Sequence, residues 1–359
     1  MDSQHHDRPT APPSSLSGRD PLGSHPLGRD LLGGHPLGVE GSVELAVLER
    51  SGMIESRHIG AAAVVASDGT LLRAVGDVTA SVYPRSSLKP FQALAVLRSG
   101  VDLEGPQAVL AMASHAGTPA HQAIVLDMLT RADATVDDLL CPPDWPYDRA
   151  TARAADAPTR LFMNCSGKHA GFLLACRHNG WPAGSYDDLD HPLQRAIRAT
   201  IAEYTGEEVD HAGVDGCGAP VFAVTLRGLA TGIARLTHSA TTDQDAEAGH
   251  LVRAVLADAW ALDGPGRANT VTIDELGLLA KLGAEGVMVM GTTSGVAVAV
   301  KVLDGNLRAG TLAALQLLVE AGAVDASAAA RVLDRTLERV LGGGVVVGAI
   351  RAGAGLTAG

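Results

Sequence analysis

Aromatic residues, positive charge and long apolar runs are all scarce in this chain of 359 residues. Aromatics make up 3% of it although 46% of the residues are hydrophobic, so the interior must be built mainly from alanine, valine and leucine. The formal net charge of −12 argues against a nucleic acid or an anionic membrane as a partner, because both require clustered lysine and arginine. No run approaches the roughly 18 apolar residues that a membrane-spanning helix needs.

Cysteine is scarce as well. The chain contains four, which are too few for a disulfide scaffold. Residues 1–40 lack the apolar central region of a secretory signal. Both observations favour a reducing cytoplasm, in which thiols stay free, buried or bound to a metal. The four cysteines are Cys141, Cys165, Cys176 and Cys217.

The first 40 residues are rich in proline, glycine, serine, histidine and aspartate, and they repeat a four-residue phrase. Such a tract cannot bury enough apolar surface to offset the entropy lost on ordering, so we expect a disordered extension over residues 1–40 and a folded domain over 41–355. Turn-forming residues separate its histidines, which favours a solvated tail over a metal site. The four copies are Asp20-Pro-Leu-Gly, His25-Pro-Leu-Gly, Asp30-Leu-Leu-Gly and His35-Pro-Leu-Gly.

Strand patterns occur at both ends of the folded part, with helical periodicity between them. Segments 42–52 and 58–77 predict three strands, the last two joined at the Asp68-Gly69 turn. A late apolar stretch predicts more strands and a hairpin at Asp304-Gly305, and a final strand is predicted over Val345–Ile350. We therefore expect an α+β fold, with one antiparallel sheet formed from both termini and a mainly helical insertion. Helices are predicted over 91–99, 119–131, 170–178, 191–204, 246–260 and 311–321.

The first motif that could carry chemistry is the pair Ser86 and Lys89, which precedes an amphipathic helix. Residues at i and i+3 of a helical turn face the same way, so the amine could reach the hydroxyl. A serine becomes nucleophilic when a base takes its proton, and a lysine can be that base when burial or a nearby cation lowers its pKa. The alternative is a helix cap with a solvated first-turn lysine.

Two further motifs follow. Ser114 ends an apolar segment and could equally cap the helix that begins near Pro119. Lys281 is followed closely by Gly283 and a hydrophobic strand, like the Lys-Thr-Gly motif of serine β-lactamases and penicillin-binding proteins. Those enzymes order their motifs as Ser-x-x-Lys, a middle serine and Lys-Thr-Gly, and this chain keeps that order. The sequence therefore indicates a serine hydrolase site assembled from three segments.

Residue types that bind metals occur in two other segments. Cys165 and Lys168 lie three positions apart in "NCSGKHAGF", and Asp215 and Cys217 lie in the glycine-lined turn "VDGCGAP". Two thiolates, a carboxylate and an amine could form a four-coordinate zinc site. Burial as a small hydrophobic residue is the commoner fate of a free cysteine. The flanking glycines favour the metal site, since they let backbone and side chains converge on a small ligand.

Taken together, these segments resemble one family, the third structural class of L-asparaginases, which the rhizobial enzymes typify. The resemblance runs from about Ser42 to Ala352 and implies a fold of the serine β-lactamase type and a homodimer. The phrases that carry it are "ESRHIG", "RSSLKPFQ", "SHAGTPAHQ", "NCSGKHAGFL", "HPLQRAI", "DGCGAP", "AKLGAEG" and "DGNLRAG".

The resemblance also implies a function for the domain over 41–355, namely hydrolysis of the side-chain amide of L-asparagine to L-aspartate and ammonia. In this interpretation Ser86, activated by Lys89, attacks the amide carbon, while Ser114 and Lys281 complete a proton relay. One zinc ion per chain lies beside the two Ser–Lys pairs and does not supply the nucleophile. The implied zinc ligands are Cys165, Lys168 and Cys217 with Asp215 close by, and the expected substrate-binding residues are Arg85, Lys168 and Asp215.

One position departs from the family pattern and two other functions compete with this interpretation. Where the family usually has Ser-His-x-Gly-Glu, this chain ends the phrase with Thr118 and so lacks a carboxylate near Ser114. A penicillin-interactive serine hydrolase would share the three motifs, but it needs a secretory signal and has no use for paired cysteines. A non-enzymatic sensor of amino acids or zinc would be favoured by broken Ser–Lys pairs, and both pairs are present.

Overall fold

The structure is a computed structural model that describes residues 34–357. Its strands are β1 (Val43–Arg50), β2 (Met53–Val65), β3 (Leu71–Val75), β4 (Ser81–Val82), β5 (Ala212–Val214), β6 (Pro220–Phe222), β7 (Val224–Thr225), β8 (Leu279–Gly283), β9 (Val287–Gly291), β10 (Ala297–Val302), β11 (Val340–Gly342) and β12 (Val345–Ala352). Its α-helices are α1 (Lys89–Arg98), α2 (Pro106–Leu110), α3 (Pro119–Arg131), α4 (Arg149–Ala154), α5 (Ser166–Asn179), α6 (Pro192–Thr205), α7 (Leu226–His238), α8 (Ala246–Ala257), α9 (Ala268–Leu276), α10 (Gly310–Glu320), α11 (Ala326–Thr336) and α12 (Ala354–Thr357).

The main sheet is antiparallel and is built from the two ends of the domain. Its strands follow the order β11-β12-β1-β2-β10-β9-β8, and β3 pairs with β2 beside β1. The long strand β2 holds the sheet together, because its first part pairs with β1 and its last four residues pair with β3. The predicted α+β class, with an antiparallel sheet formed from both termini, is confirmed.

Helices cover both faces of this sheet. Residues 61–65 of β2 are wholly buried, as expected for a strand with no solvated face. Met288 and Gly291 of β9 face opposite sides of the sheet, because their positions differ by an odd number. Helix α10 approaches Met288 through Gly310, and α7 approaches Gly291 through Ile233. The sheet is therefore the middle layer of a helix–sheet–helix arrangement.

Between β4 and β8 the chain is mainly helical, as predicted. Helix α5 packs against α1, α2 and α3 and is buried along residues 166–176. A helix that is buried on every side needs no amphipathic stripe. This burial explains why the segment combines an apolar run with a polar start, since the polar side chains at its N-terminus face other buried polar groups.

Some predicted elements differ from the observed ones. The hairpin predicted at Asp304-Gly305 is wrong: after β10 this turn leads into a 3-10 helix at Leu307–Ala309 and then into α10. The sequence prediction also omitted the longer helices α7, α9 and α11 and the short helices α2, α4 and α12. In α7, leucine and isoleucine recur at helical spacing as Leu226, Leu229, Ile233 and Leu236, so this helix carries the apolar stripe that marks a helix and its omission has no structural cause. No helix within residues 34–357 is long and apolar enough to cross a membrane.

Part of the predicted extension lies within the described residues. The Ser81 amide donates a hydrogen bond to the carbonyl of His35 over 2.9 Å, and Leu37 packs against the hydrophobic core. Residues 34–40 therefore have defined contacts with the domain, while the prediction for residues 1–33 lies outside the described residues.

Candidate active site

Ser114 lies between two buried lysines. Its hydroxyl oxygen is 2.9 Å from Nζ of Lys89 and 2.8 Å from Nζ of Lys281. Both lysines are buried, whereas Ser114 is half-buried, as Ser86 is. Lys89 also donates to the carbonyl of Ala113, and Lys281 to that of Leu282. The hydroxyl therefore forms the accessible end of a buried two-amine cluster, which we call the amine cluster (Lys89, Ser114 and Lys281).

The pKa of Lys281 lies well below the ordinary lysine value. Burial is the main cause, because an ammonium loses its hydration in the interior, and the positive charge of Lys89 acts in the same direction. Asp263 opposes this shift with its negative charge but does not reverse it. A neutral Lys281 has a free electron pair and can take a proton from Ser114.

A polar loop holds both sides of the amine cluster. The carbonyl of Leu262 accepts a hydrogen bond from the Ser114 amide over 2.9 Å. Seven residues on, the side chain of Asn269 accepts one from the Leu282 amide, next to Lys281. Asn269 is itself fixed by two bonds to the buried carboxylate of Asp263. Sequence analysis did not single out this loop, although its "DGPGRAN" composition is a turn signal.

Close packing at position 283 requires the glycine that follows Lys281. A Cβ atom there would lie 2.4 Å from the carbonyl oxygen of Pro84 and 2.9 Å from Oγ of Ser87. The glycine thus lets the 3-10 helix Arg85–Leu88 pack directly on β8. Arg85 itself has φ of 55°, in the left-handed region that costs energy for a residue with a side chain. Backbone strain therefore occurs immediately before Ser86.

Ser86 is near this cluster in sequence but not bonded to its lysine. Within residues 34–357 its hydroxyl makes no hydrogen bond, and it is half-buried. The amine of Lys89 instead bonds to Ala113 and Ser114. A buried ammonium needs acceptors for its protons, and the carbonyl and the hydroxyl supply two of them. The structure therefore brings Lys89, Ser114 and Lys281 together and leaves the Ser86 hydroxyl without a protein partner in the described part of the chain.

Arg85 and Asp215 form an ion pair beside these residues. Nε of Arg85 is 2.6 Å from Oδ1 of Asp215, and both side chains are largely buried. Burial acts to raise the pKa of Asp215, but the charges of Lys168 and Arg85 lower it overall. The carboxylate is thus held in its ionised form, next to the two segments that carry the thiols.

Cys165, Lys168 and Cys217 form a second buried cluster, which we call the thiol cluster. Nζ of Lys168 is 3.0 Å from Sγ of Cys217. A hydrogen bond from the Cys165 thiol and the charge of Lys168 lower the pKa of Cys217 well below its ordinary value, although burial opposes them. Burial acts to lower the pKa of Lys168, but the sulfurs of Cys217 and Cys165 raise it overall.

The donor chemistry of the thiol cluster fits zinc in part. Two thiols and one amine converge in a buried place, and thiolates are preferred zinc ligands. Lys168 would have to lose its proton to become a ligand. Within residues 34–357, no three side chains from His, Cys, Asp and Glu converge to hold a metal ion. A zinc site here would therefore depend on the lysine.

Gly167 and His115 position the thiol cluster against the amine cluster. A Cβ atom on Gly167 would lie 2.6 Å from the carbonyl oxygen of Leu110, so α5 can approach the segment before Ser114 only with glycine there. His115 is buried and bonds through Nε2 to Oγ of Ser166 over 2.9 Å. Its amide donates to the carbonyl of Asn164. Sequence analysis did not select His115 or Ser166.

Thr118, which replaces the usual glutamate of the family, has a local role. Its hydroxyl accepts a hydrogen bond from the His121 amide and so caps α3, while His121 Nδ1 accepts one from the Thr118 amide. This reciprocal arrangement is a capping box. The missing carboxylate is therefore replaced by a helix cap and not by another charged group.

Comparison with solved structures gives several loose similarities. A β-lactamase from Mycobacterium bovis has 18% identity and a TM-score of 0.41, covering 77% of this chain and 95% of that one. The protein Mglu in its native form has 17% identity and a TM-score of 0.35, and the similarity covers 73% of this chain and 61% of that one. A Bacillus glutaminase has 13% identity and a TM-score of 0.34, covering 73% of this chain and 91% of that one. TM-scores below 0.5 make these similarities too loose to carry an argument.

Comparison of sequences is more decisive. No curated protein matches the chain. The family model for L-asparaginase II matches residues 46–352, which include both clusters and every strand of the main sheet except the first three residues of β1. A match over most of the chain establishes the family and, with it, an enzyme that hydrolyses amides. The chain is a member of the L-asparaginase II family.

Proposed function

We propose that this protein hydrolyses the side-chain amide of L-asparagine and releases L-aspartate and ammonia. The observation that carries the proposal is the Ser114 hydroxyl held within 2.9 Å of two buried lysine amines. Family membership supplies the reaction class, an amidohydrolase acting on a small-molecule substrate. Asparagine, the serine mechanism and zinc are parts of the proposal.

Ser114 is the hydroxyl that the geometry prepares best for attack. Neutral Lys281 takes the Ser114 proton as Oγ bonds to the amide carbon, and the positive charge of Lys89 stabilises the forming alkoxide. The protonated Lys281 then gives its proton to the leaving nitrogen, so that the C–N bond breaks and ammonia departs. A water molecule hydrolyses the resulting ester by the same steps in reverse order.

Ser86, which sequence analysis preferred as the nucleophile, is the competing assignment. Its hydroxyl has no partner within the described residues and stands next to the strained Arg85, so it can bond to a substrate or to water. Lys89 lies three positions after Ser86 in the chain, but its amine bonds to the Ala113 carbonyl and to Ser114. In the proposed mechanism Ser86 orients the substrate and Ser114 attacks.

The polar rim of the site suits an amino acid. Arg85 can pair with the α-carboxylate, and ionised Asp215 can pair with the α-ammonium group, once the substrate enters between them. In the metal-free chain, Lys168 supplies a second positive charge behind Asp215. These paired groups would bind the zwitterion of asparagine and leave its side-chain amide free to reach the serines.

Zinc belongs to the proposal as a structural and substrate-orienting ion held by Cys165, Lys168 and Cys217, with Asp215 close by. When bound, it would supply a fixed positive charge near the substrate's polar groups. The chain's own contribution is to bury two thiols and an amine at the start of α5, where Cys165 is the residue before the first helical turn. We also propose a homodimer and a cytoplasmic location, which gel filtration and cell fractionation would test.

An ammonia-release assay tests the function directly. The protein is given asparagine, glutamine or a chromogenic cephalosporin at matched concentrations, with Ser114→Ala as the inactive control. We expect turnover of asparagine that disappears in the control. Cephalosporin cleavage without ammonia release would instead support a penicillin-interactive hydrolase, and turnover of glutamine alone would reject asparagine as the substrate.

A further inference from the structure

The segment His35-Pro-Leu-Gly is held on the domain like a bound peptide. Pro36 pairs in parallel with Ser81 of β4, whose other neighbour in the sheet is β7. The Ser81 amide donates to the His35 carbonyl over 2.9 Å, and the Leu37 amide donates to the Ser81 carbonyl over 3.3 Å. These are the main-chain bonds by which a peptide adds a strand to a sheet edge.

Side chains make this contact dependent on sequence. Nε2 of His35 is 2.5 Å from Oδ2 of Asp77, and Leu37 packs against the core. Because both main-chain bonds come from the residues on either side of Pro36, the missing amide of proline costs nothing at that position. The Asp77–Ser81 groove therefore contacts the histidine and leucine side chains and accommodates the proline between them.

The same four residues occur once more, ten positions upstream, as His25-Pro-Leu-Gly. The other two copies have aspartate in the place of the histidine, Asp20 and Asp30, and aspartate would bring a second negative charge to Asp77. The chain thus carries two copies that match the groove and two that carry the wrong charge.

We propose that the Asp77–Ser81 groove is a docking site for the His-Pro-Leu-Gly sequence and that the upstream copy, residues 25–28 of the same chain, is its second occupant. When that copy is bound, residues 29–40 connect it to Gly41. That connection is long enough to close, because Gly41 lies beside the groove and accepts a hydrogen bond from the Asp77 amide over 2.7 Å. Closing a longer loop costs little extra free energy, so the second register competes within one chain.

Disulfide trapping in the full-length chain can detect each register. A Cβ atom on Gly34, the residue before the docked copy, would lie 3.9 Å from Cβ of Ser81, which suits a disulfide. Gly34→Cys with Ser81→Cys reports the observed register. Ser24→Cys with Ser81→Cys reports docking of the upstream copy, and Arg19→Cys with Ser81→Cys is the matched control, because it precedes an Asp-Pro-Leu-Gly copy.

Each pair is oxidised with glutathione disulfide, and the cross-linked fraction is measured by mass spectrometry after proteolysis. We expect the Gly34 pair to cross-link most. The substitution His35→Asp should raise cross-linking of the Ser24 pair several-fold, and His25→Asp in the same chain should return it to the level of the Arg19 pair. Equal cross-linking of the Ser24 and Arg19 pairs in His35→Asp, or a disulfide between two chains, would overturn the proposal.

Hydrogen exchange gives a second measurement that needs no cysteine. The Ser81 amide is bonded to the docked segment, so it should exchange slowly in the unaltered chain. It should stay protected in His35→Asp, because the upstream copy takes over, and lose protection in His25→Asp/His35→Asp. Loss of protection in His35→Asp alone would show that the upstream copy does not occupy the groove.

Discussion

Lys281 and Lys168 are both fully buried, yet their pKa values shift in opposite directions. Lys281 faces a hydroxyl, a carbonyl and the cation of Lys89. Nothing bonded to its amine in the described part of the chain offsets the loss of hydration on burial, so its pKa falls. Lys168 faces the thiolate form of Cys217 and the carboxylate of Asp215, so its pKa rises. The comparison teaches that burial alone does not decide the charge of a lysine, because the partner at the amine does. In the proposed mechanism, this difference makes Lys281 the base and leaves Lys168 as a charge-holding residue in the metal-free chain.

The largest expected effect concerns the amine cluster. Ser114→Ala and Lys281→Met should each lower kcat by about three orders of magnitude, and the double variant should be little worse, because both act as one unit. Steady-state ammonia release measures this, with Lys301→Met on β10 as the control. A collapse of kcat in Ser86→Ala together with an active Ser114→Ala would transfer the nucleophile role to Ser86.

Substitutions in the thiol cluster should affect KM and zinc content more than kcat, unlike those in the amine cluster. Cys217→Ser removes the partner that keeps Lys168 charged in the metal-free chain, and it removes a soft ligand from the proposed zinc site. The unaltered chain should carry about one zinc ion, and Cys217→Ser should lose most of it. We expect KM to rise roughly tenfold and kcat to change much less, because the substitution weakens binding of the substrate and of the transition state equally. Elemental analysis and steady-state kinetics measure both effects, with Cys176→Ser as the control for a buried thiol outside the cluster.

Zinc absent from protein purified without a chelator would return both cysteines of the cluster to a packing role. A kcat abolished by chelation while Ser114→Ala remains active would instead favour a metal-generated nucleophile over the serine.

A smaller effect should appear in stability at mildly acidic pH. Burial holds the pKa of His115 well below its ordinary value, and the charges of His121 and Lys89 add to this. The unfolded chain therefore binds a proton at His115 below pH about 6.5 that the folded chain excludes, so this histidine alone lowers folding stability by about 1.4 kcal/mol for each pH unit of decrease. Burial also holds the pKa of His169 well below its ordinary value, and this adds to the slope separately. Urea unfolding from pH 7.5 to 5.5 measures this slope.

His115→Gln should reduce that slope by about 1.4 kcal/mol per pH unit without abolishing it, because His169 remains. His178→Gln, at an exposed position, should leave the slope unchanged. An unchanged slope in His115→Gln would show that this histidine does not exclude the proton, and it would weaken the same burial argument for Lys281.

The smallest effect is expected from the extension. Deleting residues 1–33 should change neither the melting temperature nor asparagine hydrolysis, because both clusters lie in the domain. Deleting residues 1–38 should lower stability by about 1 kcal/mol or less, since the exposed His35–Asp77 pair and the half-buried Leu37 are lost. Calorimetry and the ammonia assay measure both, and a kcat changed by either deletion would show that the site depends on the extension.

Sequence patterns were most reliable where one element is periodic and local. The helix predicted over 119–131 coincides with Pro119–Arg131, and the turn at Asp68-Gly69 joins β2 to β3 as predicted. They failed where neighbours decide the structure, since Asp304-Gly305 has hairpin residues but leads into a helix. Helix α7 is a different case, because its apolar residues do recur at helical spacing. At the site, residue types selected Ser114 and Lys281 but not Asp263, Asn269 or His115, which act by supporting others.

The sequence by itself determined the family, the α+β class and the set of chemical groups, because these depend on residue types in a fixed order. It also supplied Gly283, the glycine that lets the 3-10 helix Arg85–Leu88 pack on β8. Only the tertiary structure decided which groups are in contact. The amine of Lys89 bonds to Ser114 and not to Ser86, and that of Lys168 bonds to Cys217. The physical reason is that a buried amine must find acceptors, and these come from segments far apart in the chain.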